Sequence, residues 1–153
     1  MKNLIALAEA GRINEEANIR DRQSTIINAR IEDLWNIFLD IEGWPKWNQK
    51  ISDVHVNQVH VGQEFKCKCD GQKSKSILRK IKQQELVVWT GLLNGKKMIH
   101  TWKFEAIEGN QTIVTTEQSL EGIQTIFYSH QKLHSTLLHW LSSLKQCAEE
   151  KSI

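Results

Sequence analysis

From residue 51 to residue 121, the sequence repeats short segments in which apolar and polar side chains alternate, separated by tight-turn residues. This alternation is typical of β-strands with one buried face. The predicted strands cover 54–59, 65–69, 74–82, 85–92, 98–107 and 111–120. Asp70-Gly71 and Asn94-Gly95 favour tight hairpins. Because the connections are short, we expect antiparallel neighbours throughout.

The residues before this region change from strand to helix periodicity. Residues 19–29 alternate loosely and predict a first strand. Apolar residues then recur every three or four positions between Ile31 and Leu39, which indicates an amphipathic helix. Gly43 and Pro45 interrupt it, and 44–48 predicts a short second helix or turn.

The C-terminal part favours one long helix. Residues 124–149 contain neither proline nor glycine, and at about 1.5 Å per residue they would extend roughly 37 Å. One stripe of this helix is apolar (Leu133, Leu137, Leu141, Leu144 and Ala148), with Trp140 beside it. The order of elements predicts an α+β fold. A curved antiparallel sheet of about seven strands wraps around the long helix, and two short helices follow the first strand.

Size and charge restrict the remaining possibilities. The 153 residues suit a single domain, which we assign to 19–153, with 1–18 as an N-terminal extension that includes a short helix. A net charge of +2 does not indicate a nucleic-acid partner, and no apolar run is long enough for membrane insertion. Three cysteines exclude a complete disulfide framework, so we expect a reduced, cytoplasmic protein, as a monomer or homodimer.

Four motifs carry a family resemblance over about residues 13–149. The first motif is residues 27–35 followed by 40–48, and the second is residues 61–65. The third is residues 88–91 with 100–104, and the fourth is residues 115–119 with Gly122. In order and spacing they resemble the START-like, or SRPBCC, helix-grip superfamily, in its polyketide cyclase/dehydrase-like branch. Arg30 and Gln83-Gln84 stand where the family often has proline, which affects turn geometry more than chemistry.

This resemblance implies a cavity between the sheet and the long helix that holds lipids, polyketides or other apolar molecules. Some members are cyclases, aromatases, carriers or co-chaperone domains, so the resemblance fixes the fold better than the function. It implies no cofactor.

His100 is the main polar candidate in the predicted interior. It shares one side of its strand with Met98, Trp102 and Phe104, where an imidazole could bind a ligand carbonyl or transfer a proton. A buried histidine satisfied by its neighbours is the alternative. The expected ligand-binding residues are Trp35, Phe38, Trp89, His100, Trp102, Phe104, Leu133, Leu137 and Trp140. The aromatic members could equally fill the space themselves.

Other residues are weaker candidates. Glu117 could assist His100 or pair with Arg79 if it faces inward, but a strand that turns Thr112, Val114 and Thr116 inward would leave it solvated. His130 and His134 have metal-ligand spacing without a third ligand, so we expect no metal site. Cys67 and Cys69 fit half-buried thiols. A basic hairpin, residues 66–82, fits a solvated outer face.

Three functions remain as hypotheses. The first is binding of a hydrophobic or aromatic small molecule, lipid- or polyketide-like, in the cavity, and it is the one we favour. The second is a cyclase or dehydratase that uses His100 as acid or base. The third is a co-chaperone-like interaction module that uses the basic hairpin.

Overall fold

The computed structural model describes residues 3–151. The helices are α1 (Leu4–Glu9), α2 (Ile31–Leu39), α3 (Trp44–Trp47) and α4 (His130–Lys151), with 3₁₀ turns at Ile41–Gly43 and Ile123–Phe127. The strands are β1 (Ile19–Ile27), β2 (Ile51–Val56), β3 (Glu64–Cys69), β4 (Gln72–Lys82), β5 (Leu86–Leu93), β6 (Lys96–Ile107) and β7 (Gln111–Glu121). The predicted α+β architecture is confirmed.

All seven strands form one open antiparallel sheet in the order β1-β7-β6-β5-β4-β3-β2. The Asp70-Gly71 and Asn94-Gly95 turns have positive φ at both residues, the geometry of type I′ hairpins that matches the twist of the strands they join. The register shifts between Ser52 and His55 on β2 and between Leu78 and Lys80 on β4. Such bulges increase the local bend, which helps this end of the sheet curve over α4.

The long helix begins later than its sequence pattern indicates. It starts at His130 rather than near 124, because a 3₁₀ turn and an extended Tyr128 precede it. The Thr125 hydroxyl donates to the Gly122 carbonyl at 2.7 Å, and Ser129 Oγ accepts from the Lys132 amide at 3.0 Å. These side chains satisfy backbone groups of the 3₁₀ turn and of the first turn of α4, so the two turns remain separate elements.

The apolar stripe of α4 packs against the concave face of the sheet. Leu133, Leu137, Leu141, Leu144 and Ala148 are all buried, as the helical spacing predicts. Helix α2 and the short α3 close one end of this interior, and the Trp44 indole donates to the Phe38 carbonyl at 2.8 Å. No helix among residues 3–151 has both the length and the apolar content to cross a bilayer.

A second, smaller core lies on the outer face of the sheet. Helix α1 covers the β5–β6 region there, where Ala8 and Ile13 pack with Val88 and Ile99. Alternation along β6 predicts that Ile99 and Thr101 lie on its outer, mostly solvated side. Both are nevertheless buried (0% and 1% exposed), and Ile99 packs against the N-terminal segment in this second core.

Candidate functional site

The nine predicted ligand-binding residues all lie in the interior between the sheet and α4. Each is at most 5% exposed. Helix α2 supplies Trp35 and Phe38, strands β5 and β6 supply Trp89, His100, Trp102 and Phe104, and α4 supplies Leu133, Leu137 and Trp140. Strand and helix periodicity therefore identified one shared interior from three separate parts of the sequence.

Most of that interior is filled by aromatic rings. Phe38 lies 4.6 Å from Trp102 and 5.5 Å from Phe104 between ring centroids, and Trp35 meets Phe104 edge-on at 5.4 Å. Trp140 meets Trp44 at 5.1 Å and Trp102 at 5.5 Å. These distances are those of packed aromatic pairs, so the rings form a continuous core at the α2 end.

A small cavity remains beside this core, under the middle of the sheet. Its open volume is about 30 Å³, enough for one or two water molecules. Thirteen residues line it: Trp44, Ile51, Phe65, Cys67, Cys69, Ser74, Trp89, Leu93, Met98, His100, Gln118, Thr136 and Trp140.

Only three of the nine predicted ligand-binding residues line this cavity: Trp89, His100 and Trp140. The other six (Trp35, Phe38, Trp102, Phe104, Leu133 and Leu137) pack around it without lining it. The ten lining residues outside our prediction include Phe65, Cys67 and Cys69, which alternate along β3, and Gln118, which pairs with His100 across β6 and β7. Period-two alternation on β3 and β7 was the signal that could have found them.

His100 is a neutral histidine whose tautomer follows from its neighbours. Its Nε2 lies 2.8 Å from Thr116 Oγ1, and the Thr116 hydroxyl donates to the Thr101 carbonyl at 3.1 Å. Because that hydroxyl has one proton, His100 Nε2 must be the donor, which leaves Nδ1 unprotonated. Burial lowers the pKa of His100 to about 3. His100 Nδ1 can therefore accept a hydrogen bond from a ligand, but the neutral ring is not the imidazolium that would act as a general acid at neutral pH.

Several polar groups near the cavity have weak partners or none. Within residues 3–151, His100 Nδ1 accepts no hydrogen bond, and Trp102 Nε1, in a fully buried side chain, has no partner. The Gln118 amide donates only to the Met98 sulfur, at 3.0 Å, and thioethers are weak acceptors. A buried polar group without a good partner costs about 1–3 kcal/mol.

Glu117 does not join His100. It lies one residue out of phase with the inward-facing Thr116 and Gln118, so its carboxylate is on the outer face of β7, 3.7 Å from Arg22 and 3.8 Å from Lys103. Arg79, its other expected partner, donates instead to Thr90 Oγ1 at 2.9 Å. The inward set of β7 is the alternative one, and a catalytic pair of His100 and Glu117 does not form.

The histidines and cysteines with ligand-like spacing have other surroundings. His134 Nδ1 lies 3.0 Å from an Asp21 oxygen on β1, while His130 is exposed. Burial raises the pKa of the Cys67 thiol to about 11 and that of Cys69 to about 12, which keeps both protonated. In the described part of the chain, no three His, Cys, Asp or Glu side chains are placed to hold a metal ion.

Four of the seven basic side chains of this hairpin lie within 4.0 Å of an acid. Lys66 and Lys75 flank Glu64 at 3.7 and 3.9 Å, Lys68 lies 3.2 Å from Asp53, and Lys82 lies 2.9 Å from Glu85. These pairs are exposed and stabilise the fold little. Lys73, Arg79 and Lys80 have no such pair among the described residues, so the hairpin keeps a net positive charge.

Comparisons with known proteins agree with this architecture. Residues 19–124 match the family described as polyketide cyclase / dehydrase and lipid transport. A hypothetical protein from Helicobacter pylori is similar in structure at 14% identity, with a TM-score of 0.78 over 89% of this chain and 91% of that chain. A START superfamily protein from Mycobacterium smegmatis gives a TM-score of 0.71 at 13% identity over 86% and 97% of the two chains.

A third similar structure is the Zhui aromatase/cyclase from Streptomyces sp. R1128. It is 11% identical, with a TM-score of 0.73 over 88% of this chain and 95% of that chain. No curated protein sequence matches significantly. At these identities the structural matches show a shared fold, whereas the family match covers more than two thirds of the sequence. The chain therefore belongs to the polyketide cyclase / dehydrase and lipid transport family.

Proposed function

We propose that this protein binds a hydrophobic or aromatic small molecule that carries a hydroxyl or similar hydrogen-bonding group, in the cavity between the sheet and α4. The observation that carries the proposal is the poorly satisfied polar set at an aromatic wall: His100 Nδ1 and the Gln118 amide. A core that only had to be stable would place apolar residues there. A ligand hydroxyl could donate to His100 and accept from Gln118.

The present cavity is too small for such a ligand. Binding sites for small molecules usually measure about 300–1,000 Å³, compared with about 30 Å³ here. Binding therefore requires side chains to move. Trp140 is the best candidate, because it lines the cavity from α4 and meets Trp44, Trp47 and Trp102 through edge contacts. Its displacement would open the space that the aromatic rings now occupy.

Larger recesses, of about 280 to 740 Å³, exist elsewhere, and each is lined in part by charged side chains. A groove of about 470 Å³ lies between the α2–α3 region and the C-terminal half of α4. Its lining includes Asp40, Lys46, Glu150 and Lys151, which are charged groups suited to water. We place the ligand site in the smaller cavity because its lining is mostly apolar with a few convergent polar groups, as in most ligand sites.

The proposed site also suggests a role for the main domain and for the N-terminal extension. We assign residues 19–153 to the ligand-binding domain, and α1 with the following loop covers the outside of the sheet behind the cavity wall. The cyclase or dehydratase alternative is less favoured, because His100 is a weak base and has no carboxylate partner. No observation favours the interaction module.

Calorimetric titration with a matched pair of ligands tests the proposal. 1-Naphthol and 1-methylnaphthalene share a ring system, and only the first has a hydroxyl. We expect the naphthol to bind at least fivefold more tightly. His100→Leu and Gln118→Leu should each remove most of that preference, because each deletes one partner of the hydroxyl.

Gln124→Leu is the control, since Gln124 is exposed on the 3₁₀ turn. It should bind both compounds as the wild type does. Native mass spectrometry of gently purified protein should in addition reveal a bound small molecule. If neither naphthalene derivative binds and no mass is added, the proposal is wrong. Equal affinities for the two compounds would mean that His100 and Gln118 do not recognise the hydroxyl.

A further inference from the structure

Lys96, the first residue of β6, is a buried cation without a carboxylate partner. Its side chain is only 2% exposed, whereas lysine is rarely buried unless it is paired. The ammonium has three hydrogen-bond donors. Within residues 3–151, its one hydrogen bond goes to Gln72 Oε1, at a long 3.4 Å, and its other contact is the Tyr128 ring, 4.7 Å from Nζ to the centroid.

A second ammonium contacts the same ring. Lys132, in the first turn of α4, places Nζ 5.3 Å from the Tyr128 centroid. No carboxylate of the described residues lies within 4.0 Å of either ammonium. Burial, and then the charge of Lys132, lower the pKa of Lys96, as expected for neighbouring cations without a counterion. The N-terminus of the 22-residue α4 adds further positive potential.

This group of positive charges lies at one end of the cavity. Lys96 pairs in the sheet with Leu93, and Gln72 pairs with Cys69. Tyr128 also lies in side-chain contact with Thr136. The three neighbours named here, Leu93, Cys69 and Thr136, all line the cavity. Tyr128, Lys96 and Lys132 do not line the open space themselves, so these neighbours lie between it and the two ammonium groups.

We propose that Lys96 and Lys132 bind the anionic head group of the ligand, a carboxylate, sulfonate or phosphate, while its apolar part enters the cavity. This inference rests on the proposed function and makes the ligand an amphipathic acid. The head group would supply the counterion that the structure lacks, and Tyr128 would move aside to admit it. Two ammoniums of which one is shielded from water suit a single anion better than a neutral group.

Two fluorescent probes with one ring skeleton test this inference. Anilinonaphthalene-8-sulfonate and N-phenyl-1-naphthylamine differ only in the sulfonate. We expect the wild type to bind the sulfonate at least tenfold more tightly. Lys96→Met keeps the length of the side chain and removes its charge, so sulfonate affinity should fall about tenfold while the affinity for the neutral amine changes less than twofold.

Lys132→Met tests the same point at an exposed position, where the change cannot disturb the core. It should weaken sulfonate binding at least threefold. Lys97→Met is the matched control, because Lys97 is adjacent in sequence, exposed and outside the cavity lining. It should leave both affinities unchanged.

The outcomes separate this inference from the proposed function. If both probes bind but neither lysine substitution alters their affinity ratio, the anion site is wrong and the apolar cavity remains supported. If the lysine substitutions lower the affinity for both probes equally, the lysines affect the cavity as a whole and the inference is also wrong. If neither probe binds the wild type, the proposed function fails as well.

Discussion

At the scale of single residues, His100 combines burial with a fixed tautomer. Its ring lies 4.8 Å from that of Trp89 and 5.5 Å from that of Trp102. A proton on Nδ1 would place a charge among these rings, and burial accordingly lowers the pKa to about 3. The histidine thus links the stability of the fold to pH in acid solution.

The direction of that link follows from proton binding. The unfolded chain protonates His100 near its ordinary pKa of 6.5, whereas the folded protein does so only at about 3. Between these values the unfolded state binds more protons, so stability rises with pH and is lost as pH falls. The slope from this group should be about 1.4 kcal/mol per pH unit, and it should vanish above pH 6.5.

We therefore expect His100→Gln to flatten the dependence of the unfolding free energy on pH between 4 and 6. Denaturant titrations at several pH values measure it. His60→Gln is the control, because that exposed ring is solvated in the folded and the unfolded state. If His100→Gln keeps the slope of the wild type, His100 does not carry this link.

The inward direction of His100 could be predicted, but its partner could not. Alternation along β6 places His100, Trp102 and Phe104 on one side, and their ring contacts with α2 and α4 confirm this. The residues of β7 that lie beside His100 depend on the register between β6 and β7. That register sets His100 opposite Gln118 and Thr101 opposite Glu117. A shift of one residue reverses which side chains face inward, and the sequence of a single strand does not specify that register.

At the scale of elements, α1 is an integral cover of the outer sheet face. Ala8 is fully buried against this face, and Lys80 Nζ donates to the Glu9 carbonyl at 2.9 Å. The helix therefore belongs to the packing of β4 to β6, although its sequence is separated from them by more than 60 residues.

Ala8→Gln should lower the free energy of unfolding by about 1–3 kcal/mol, because a larger polar side chain cannot fit against Val88 and Ile99 without shifting α1. Ala6→Gln makes the same change on the exposed side of the same helix, and its effect should stay within about 0.5 kcal/mol. Chemical denaturation compares the two variants. Equal effects would mean that α1 does not pack tightly on the sheet.

Element boundaries were predicted less well where side chains compete with the backbone. The absence of proline and glycine after 122 suggested a helix from 124, yet α4 begins at 130. Asn18 Nδ2 donates to Thr125 Oγ1 at 3.2 Å, a contact with residues that are distant in sequence. Such tertiary contacts hold the 3₁₀ turn, and helix periodicity alone does not reveal them.

At the scale of the whole molecule, the sheet holds α4 through an aromatic interior that is almost full. The spacing of the aromatic residues along the sequence predicted which side chains meet in this interior. It did not predict the volume that they leave open. That volume depends on rotamers and on residues from other elements, such as Trp44 and Phe65, whose rings meet edge-on at 5.6 Å. A change of one ring can therefore alter the cavity more than any change on the surface.

Trp140→Ala should destabilise the protein by about 3–5 kcal/mol, because it removes the ring that separates the cavity from the aromatic core. Indole at millimolar concentration should then raise the Tm of this variant, since a ligand that fills the new space stabilises the folded state. Thermal melts with and without indole measure the rescue.

Leu144→Ala is the control, because Leu144 is buried on the same helix and does not line the cavity. It should lose stability without rescue by indole. If indole leaves the Tm of Trp140→Ala unchanged, the space vacated by the indole ring is not continuous with the cavity, and the route proposed for ligand entry is wrong.

The dense group of indoles has a spectroscopic consequence. Trp44 lies 5.5 Å from Trp89 and 5.1 Å from Trp140, and Trp102 lies 5.5 Å from Trp140. Transition dipoles this close couple strongly, so the protein should show intense exciton bands in far-ultraviolet circular dichroism, where the strongest indole transition lies. Rotation of a single indole would change those bands, which gives the molecule an intrinsic optical reporter of every opening of its interior.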